Sequence, residues 1–175
     1  MMKNFLKLTL AVALMVSATA VNAQKFGRVD LAAIVTNMTE YKEAVSNLET
    51  YGLDLQDQLE QIQVEFNKLY AEYEKNVTTY SDTVRQLKER ELTELQQRFQ
   101  DFQQLAQQDI SKKEAELMNP VYEKANDAVK QVASAGGYIA IFSTTSDQPA
   151  AAGLAYFDPA QLTDITPEVK AVLGI

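Results

Sequence analysis

The sequence predicts an α+β fold in which a long antiparallel helical hairpin is inserted into a small β-sheet body. Three observations predict it. A stretch of roughly a hundred of the 175 residues places its apolar side chains at steps of three and four, the spacing that makes one stripe on a helix. That pattern lapses once, near its middle. Short runs rich in β-formers lie before it and after it.

The first 23 residues read as a cleavable signal peptide. Lys3 and Lys7 give the basic start, Leu8 to Val16 form a nine-residue apolar core, and Val21-Asn22-Ala23 ends in the small-residue pattern expected before cleavage at Gln24. The apolar core is well short of the ~20 residues of a membrane span, so an integral membrane protein is not expected. A lipoprotein signal would need a cysteine at the cleavage point, and the chain has none.

Body segments flank the arm. Residues 24–40 hold a first strand, Phe26 to Asp30, and a short helix around Leu31 to Val35. After Gly136-Gly137 comes Tyr138 to Ser143, short and rich in β-formers, read as a second strand. Leu154-Ala155-Tyr156-Phe157 is a third strand candidate, and Ser143 to Gly153 a loop or loose hairpin. Thr166-Pro167-Glu168 has the chemistry of a helix start, with Thr as N-cap, and the closing helix runs from Pro167 to Leu173.

The arm occupies residues 41–119, with its tip near 76–83. Its outgoing stripe is Leu48, Tyr51, Leu55, Leu59, Ile62, Phe66, Leu69, Tyr73 and Val77, interrupted by Gly52; the return limb shows Val84, Leu87, Leu92, Leu95, Phe99, Phe102, Ala106 and Ile110. The remaining faces are dense in Gln, Glu, Lys and Asp. Pro120 stands inside the return pattern, where an interior proline removes a hydrogen bond and clashes with the preceding turn. A kink or break is expected there, making Pro120 the hinge between the arm and the second body segment, residues 120–175. Strands on both sides of the arm are unstable alone and must meet. A body of roughly 60 residues is itself marginal, so oligomerisation through the body is expected.

Composition narrows the function. Loss of the signal peptide removes two lysines and leaves 14 basic against 24 acidic residues, a net charge of −10; phosphate backbones are repelled by such a field, so no nucleic acid partner is expected. Histidine and cysteine are both absent. No disulfide framework is available, and the commonest general base and metal ligand is missing. The sequence contains no phosphate-binding glycine loop, dinucleotide fingerprint, zinc-protease motif or calcium loop. No catalytic, cofactor-binding or metal-binding residue is assigned, and an enzyme is not expected.

This order of segments resembles the Skp/OmpH family of periplasmic chaperones. The resemblance is carried by Lys25-Phe26-Gly27-Arg28-Val29-Asp30, by Pro120 to Ala133 running into Gly137-Tyr138-Ile139-Ala140-Ile141-Phe142, and by Tyr156-Phe157-Asp158-Pro159 through Asp164-Ile165-Thr166-Pro167-Glu168-Val169. It implies a homotrimer with a shared β body, whose arms enclose a cavity. There unfolded outer-membrane proteins are held in transit through the periplasm, without ATP or any cofactor. Tyr41, Tyr70, Tyr80 and Phe102 on the arm are the candidate client contacts, ordinary hairpin packing being the competing reading for each. One departure matters. The best-known members are basic, and this chain is acidic, so a lipopolysaccharide site is not carried over. A non-chaperone envelope adaptor built on the same coiled coil is the alternative function.

Overall fold

The computed structural model describes residues 24–145, 148–149, 156–158 and 160–175; the proposed signal peptide lies outside the described residues. In chain order the elements are β1 (Lys25–Val29), α1 (Leu31–Val35), α2 (Thr39–Asn76), α3 (Asp82–Gly136), β2 (Tyr138–Thr145), β3 (Gln148–Pro149), β4 (Thr163–Asp164) and α4 (Thr166–Leu173). The architecture is mostly helical, with two long helices and one small sheet.

The sheet has the order β3-β2-β1-β4. β1 and β2 run parallel, in a register that sets Gly27 against Ile141 and Val29 against Ser143, with an irregularity between Lys25 and Phe26. Parallel neighbours need a crossover connection of a dozen residues or more. Here the whole helical pair is that crossover, which is why the arm's two limbs return to one place. Gly27 is the tight point of the contact: a Cβ added there would lie 2.7 Å from Ile141 Cδ1 and 3.1 Å from the Thr163 carbonyl oxygen.

The third expected strand falls only partly within the described residues. Leu154 and Ala155 lie outside the described residues, and Tyr156 and Phe157 are not in a strand. The other neighbour of β1 is instead β4, with Gly27 opposite Thr163 and Arg28 opposite Asp164. Its two residues carry no apolar alternation, so no strand signal marks them. One side-chain pair and one backbone bond fix the position: the Arg28 guanidinium lies 3.2 Å from the Asp164 carboxylate, and the Ile165 N–H donates to the Arg28 carbonyl at 2.9 Å. β3 pairs antiparallel with the end of β2, Thr144 with Pro149 and Thr145 with Gln148.

Helix ends follow local rules. The Asp30 carboxylate caps α1 by accepting from the Ala33 N–H at 2.9 Å, and the Ser81 hydroxyl accepts from Val84 at the start of α3. Gly137, at φ 66°, closes α3 in the left-handed conformation that costs glycine least. α4 begins one residue earlier than its sequence suggests, so Thr166 is a helical residue and Ile165 occupies the cap position. The Thr166 hydroxyl is used differently: it accepts from the Asp30 N–H at 2.9 Å, tying the two ends of the chain together.

One core holds the body. Val29, Ile34, Val35, Met38, Ala44, Val121, Ala125, Ala128, Ile165 and Val169 are buried together. It therefore draws on β1, α1, the base of α2, the last third of α3 and α4. Phe26 alternates with Val29 along β1, so it faces away from this core; it stacks on Phe142 at a ring separation of 6.2 Å.

α3 is continuous from Asp82 to Gly136 with Pro120 inside it. The break that the proline suggested does not occur, because Val121, Ala125 and Ala128 immediately beyond it are fixed in the core. Packing outweighs the roughly 3 kcal/mol an interior proline costs. Arm and body thus share one helix. No described helix is long and apolar enough to cross a membrane.

Candidate functional site: the two faces of the arm

The arm is a seam with two unlike flanks. Every residue of the outgoing stripe, Leu48 through Val77, is buried or half-buried. On the return limb Leu92, Leu95, Phe99, Phe102, Ala106 and Ile110 meet it in the same way. Leu55, Ile62, Leu95 and Ala106 are the best-covered positions, at 5–9% exposed. Full burial of a leucine or isoleucine contributes about 1.5–3 kcal/mol, so these few side chains dominate limb pairing.

Val84 and Leu87 do not join the seam; they are 38% and 51% exposed. The helical step back from Leu92 and Leu95 lands on Lys88 and Glu91 instead. Lys88 donates to Glu91 at 3.0 Å and lies 3.9 Å from Glu72 on the opposite limb. Its hydrogen bond to Glu91 holds its pKa above the ordinary lysine value, against a smaller opposing effect of burial. Toward the tip the seam therefore becomes polar, and the Tyr73 hydroxyl donates to Glu89 across it at 2.6 Å. That bond to Glu89 raises the Tyr73 pKa. Sequence reasoning missed these residues because it tracked apolar side chains only; continuing the return stripe's own spacing backwards would have found Lys88.

Further ion pairs cross the limbs at Glu65–Arg98, 3.3 Å, and at Glu40–Lys124 near the base. All are largely exposed. Pairs of this kind contribute about 0–1 kcal/mol each, so they set register more than stability.

The flanks differ in chemistry. On one side the seam opens into a groove of about 450 Å³ lined by Glu65, Lys68, Glu72, Glu91, Glu94 and Arg98, over a floor of Leu69 and Leu95. The groove on the other side, about 340 Å³, is lined by Gln63, Gln96, Gln100 and Gln103 with Ile62, Phe66, Leu95 and Phe99. Leu95 alone is common to both. One groove is charged; the other has no ionisable group.

The four aromatic candidates fall in different settings. Tyr41 is half-buried against the body core. Tyr80 is half-buried at the tip, 6.4 Å from the Tyr73 ring. Phe102 is half-buried in the seam. Tyr70 is 45% exposed and stacks on Phe66 at 6.0 Å, at the edge of the uncharged groove. A hydrogen bond to Glu74, aided by that carboxylate's charge, pushes its phenol pKa up. Leu53, Val64 and Leu105 are more than half exposed along the arm, in keeping with their places off the stripe that the spacing predicts.

The model of outer membrane proteins of the OmpH-like kind matches residues 25–173. This chain belongs to the OmpH-like family. A crystal structure of a candidate outer membrane chaperone (OmpH-like) from Caulobacter crescentus CB15 superposes with a TM-score of 0.70 at 18% identity, covering 86% of this chain and 83% of that one. At that identity the likeness is one of fold. Among curated proteins, none matches the sequence at a significant level. The OmpH-like match spans both body segments and the arm between them, so the hairpin is an integral part of the family pattern.

Proposed function

We propose that this OmpH-like protein is an ATP-independent periplasmic holdase chaperone, which binds unfolded outer-membrane proteins and keeps them from aggregating in transit. The observation that carries this reading is the arm itself: a stiff double helix that leaves Leu53, Val64, Tyr70, Leu87 and Leu105 at 45–57% exposure. Apolar side chains scattered along a solvated scaffold give many weak contacts. Linked together they hold a flexible chain by effective concentration, while each contact releases readily. The chemistry needs no nucleotide or other cofactor.

The reading has further parts. Residues 1–23 act as the signal peptide that delivers the chain to the periplasm. The body, residues 24–40 and 120–175, associates as a homotrimer, so that three arms (residues 41–119) surround a shared space. Tyr70, with Tyr41, Tyr80 and Phe102, supplies aromatic contacts to the client, and Pro120 lets the arm flex where it leaves the body. Exposed body side chains such as Ile139, 61% exposed, and Phe26, 36% exposed, supply apolar area for association.

Dilution of a urea-unfolded outer-membrane barrel protein into buffer tests the reading. A stoichiometric amount of the mature protein suppresses light scattering without ATP. The chain has no tryptophan, so client tryptophan emission reports binding without background. Unchanged aggregation, together with a folded envelope protein recovered in a pull-down, would instead favour the adaptor function.

A further inference from the structure

We propose that, beside the weak contacts of its scattered apolar side chains, the arm reads the backbone of its client on one flank, in the uncharged groove lined by Gln63, Gln96, Gln100 and Gln103 over Phe66 and Phe99, and that the ligand there is an extended, uncharged polypeptide segment. The inference rests on the holdase reading and specifies the chemistry of its site.

Charge distribution is the first argument. Charged residues make up 23% of the chain and its net charge is −8, yet no ionisable side chain lines this groove, while six line the one across the seam. An uncharged segment loses no paired charge by entering the first groove. In the second it would have to displace hydration from carboxylates and cations without compensation.

Hydrogen-bonding capacity is the second. A glutamine amide carries two donors and an acceptor. It therefore satisfies the N–H or the C=O of a peptide unit whatever side chain that unit bears. Four such amides rim the groove, and Gln63, which already gives one N–H to Asn67 at 3.1 Å, keeps its second donor and its acceptor. The aromatic floor meets the segment's apolar side chains, and Tyr70, stacked on Phe66, extends that floor toward the tip. An unfolded outer-membrane strand alternates apolar and polar residues and exposes its backbone, so it presents both partners at once.

Length is the third. Gln56, Gln63 and Tyr70 recur at seven-residue steps on α2, as do Gln96, Gln103 and, one turn offset, Gln100 and Gln107 on α3; seven residues is close to two helical turns and returns to the same face. The strip from Gln56 to Tyr70 is about 20 Å long at 1.5 Å per residue. That accommodates about six residues of extended chain at ~3.3 Å each. A strip of this length along one groove matches a single extended segment.

The experiment places a photo-crosslinking benzoylphenylalanine in the full mature protein, in turn at Gln63, Gln103, Lys68 and Glu94, with a urea-unfolded outer-membrane barrel protein as probe. Crosslinks are expected from positions 63 and 103 and not from 68 and 94. In parallel, the triple variant Gln63→Glu, Gln100→Glu, Gln103→Glu keeps the shape, removes the donors and puts three carboxylate charges in the groove. Its client affinity is expected to fall at least about tenfold. The double variant Glu65→Gln, Glu94→Gln on the charged flank is expected to stay within about twofold of wild type. Circular dichroism checks that helix content is retained; should the triple variant unfold, the crosslinking pattern still decides. Wild-type suppression of aggregation with crosslinks chiefly from 68 and 94 overturns the one-flank inference and leaves the holdase reading standing. Absence of suppression by the wild type overturns both.

Discussion

Two glycines in this chain behave oppositely, and the difference is local. Gly27 sits where β1 meets β2 and β4, so a methyl group there collides with Ile141 and nears the backbone of Thr163. Gly27→Ala is expected to destabilise by about 1–3 kcal/mol, the usual range for overpacking. Gly52 lies within α2, and an added Cβ meets nothing within 4 Å. Gly52→Ala is expected to stabilise by about 0.5–1 kcal/mol through helix propensity alone. Chemical denaturation of the two variants beside wild type checks both signs. Asp164 gives a pH dependence of similar locality. Burial pushes its pKa up, but hydrogen bonds from the Thr166 hydroxyl and N–H and the charge of Arg28 outweigh it and leave the pKa below its ordinary value. Its stabilising contribution is thus complete above the unfolded-state carboxylate pKa, about 3.9. It is lost as pH falls through the lower folded value. Asp164→Asn is expected to flatten the acid limb of a stability-versus-pH curve, and an unchanged limb would show that the ion pair with Arg28 carries no weight.

At the scale of elements, the hairpin and the sheet separate in what stabilises them. Leu95 is 9% exposed at the middle of the seam, and Leu95→Ala is expected to cost about 2–4 kcal/mol. The loss falls on the arm, since none of the buried core residues of the body belongs to that level of α3. Hydrogen exchange should therefore show faster exchange in residues 50–110 with the β1–β2 amides unchanged. Leu105→Ala, at 56% exposed, should alter stability by less than about 0.5 kcal/mol. Pro120 is exposed on a continuous helix, so Pro120→Ala restores a hydrogen bond and is expected to raise the denaturation midpoint. If Pro120 is also the hinge, the same variant holds clients more slowly or less well, which stopped-flow quenching of client tryptophan would register. Both the paired stripes and the polar tip seam were set by spacing, but only Leu48 to Val77 and Leu92 to Ile110 were legible as such. Val84 and Leu87 looked like seam residues because they are apolar; the register of the opposite limb placed Lys88 there instead.

For the whole molecule, the decisive quantity is how a small body supports so long an arm. The core cluster among the described residues is modest for the 152 residues from Gln24 onward, and association is the expected source of additional stability. Light scattering on the mature protein is expected to give three times the chain mass. Ile139→Asp is expected to shift that mass toward the monomer and to remove the dependence of the unfolding midpoint on protein concentration that the associating wild type shows. A wild-type monomer at micromolar concentration would contradict the trimer while leaving the arm's chemistry unaffected.

The sequence by itself determined the helical hairpin, its seam and its tip, because those depend on short-range spacing that a helix repeats faithfully. It also determined that strands on either side of the arm belong to one sheet, since neither is stable alone. Three things were decided only in three dimensions. β4 exists because Arg28 and Ile165 supply partners to a two-residue segment with no strand signal of its own. The helix passes through Pro120 because Val121, Ala125 and Ala128 beyond it are locked in the core. The division of the arm into a charged flank and an amide flank emerges only when the two limbs are set in register, because each helix alone carries glutamine and charge on every side but its seam.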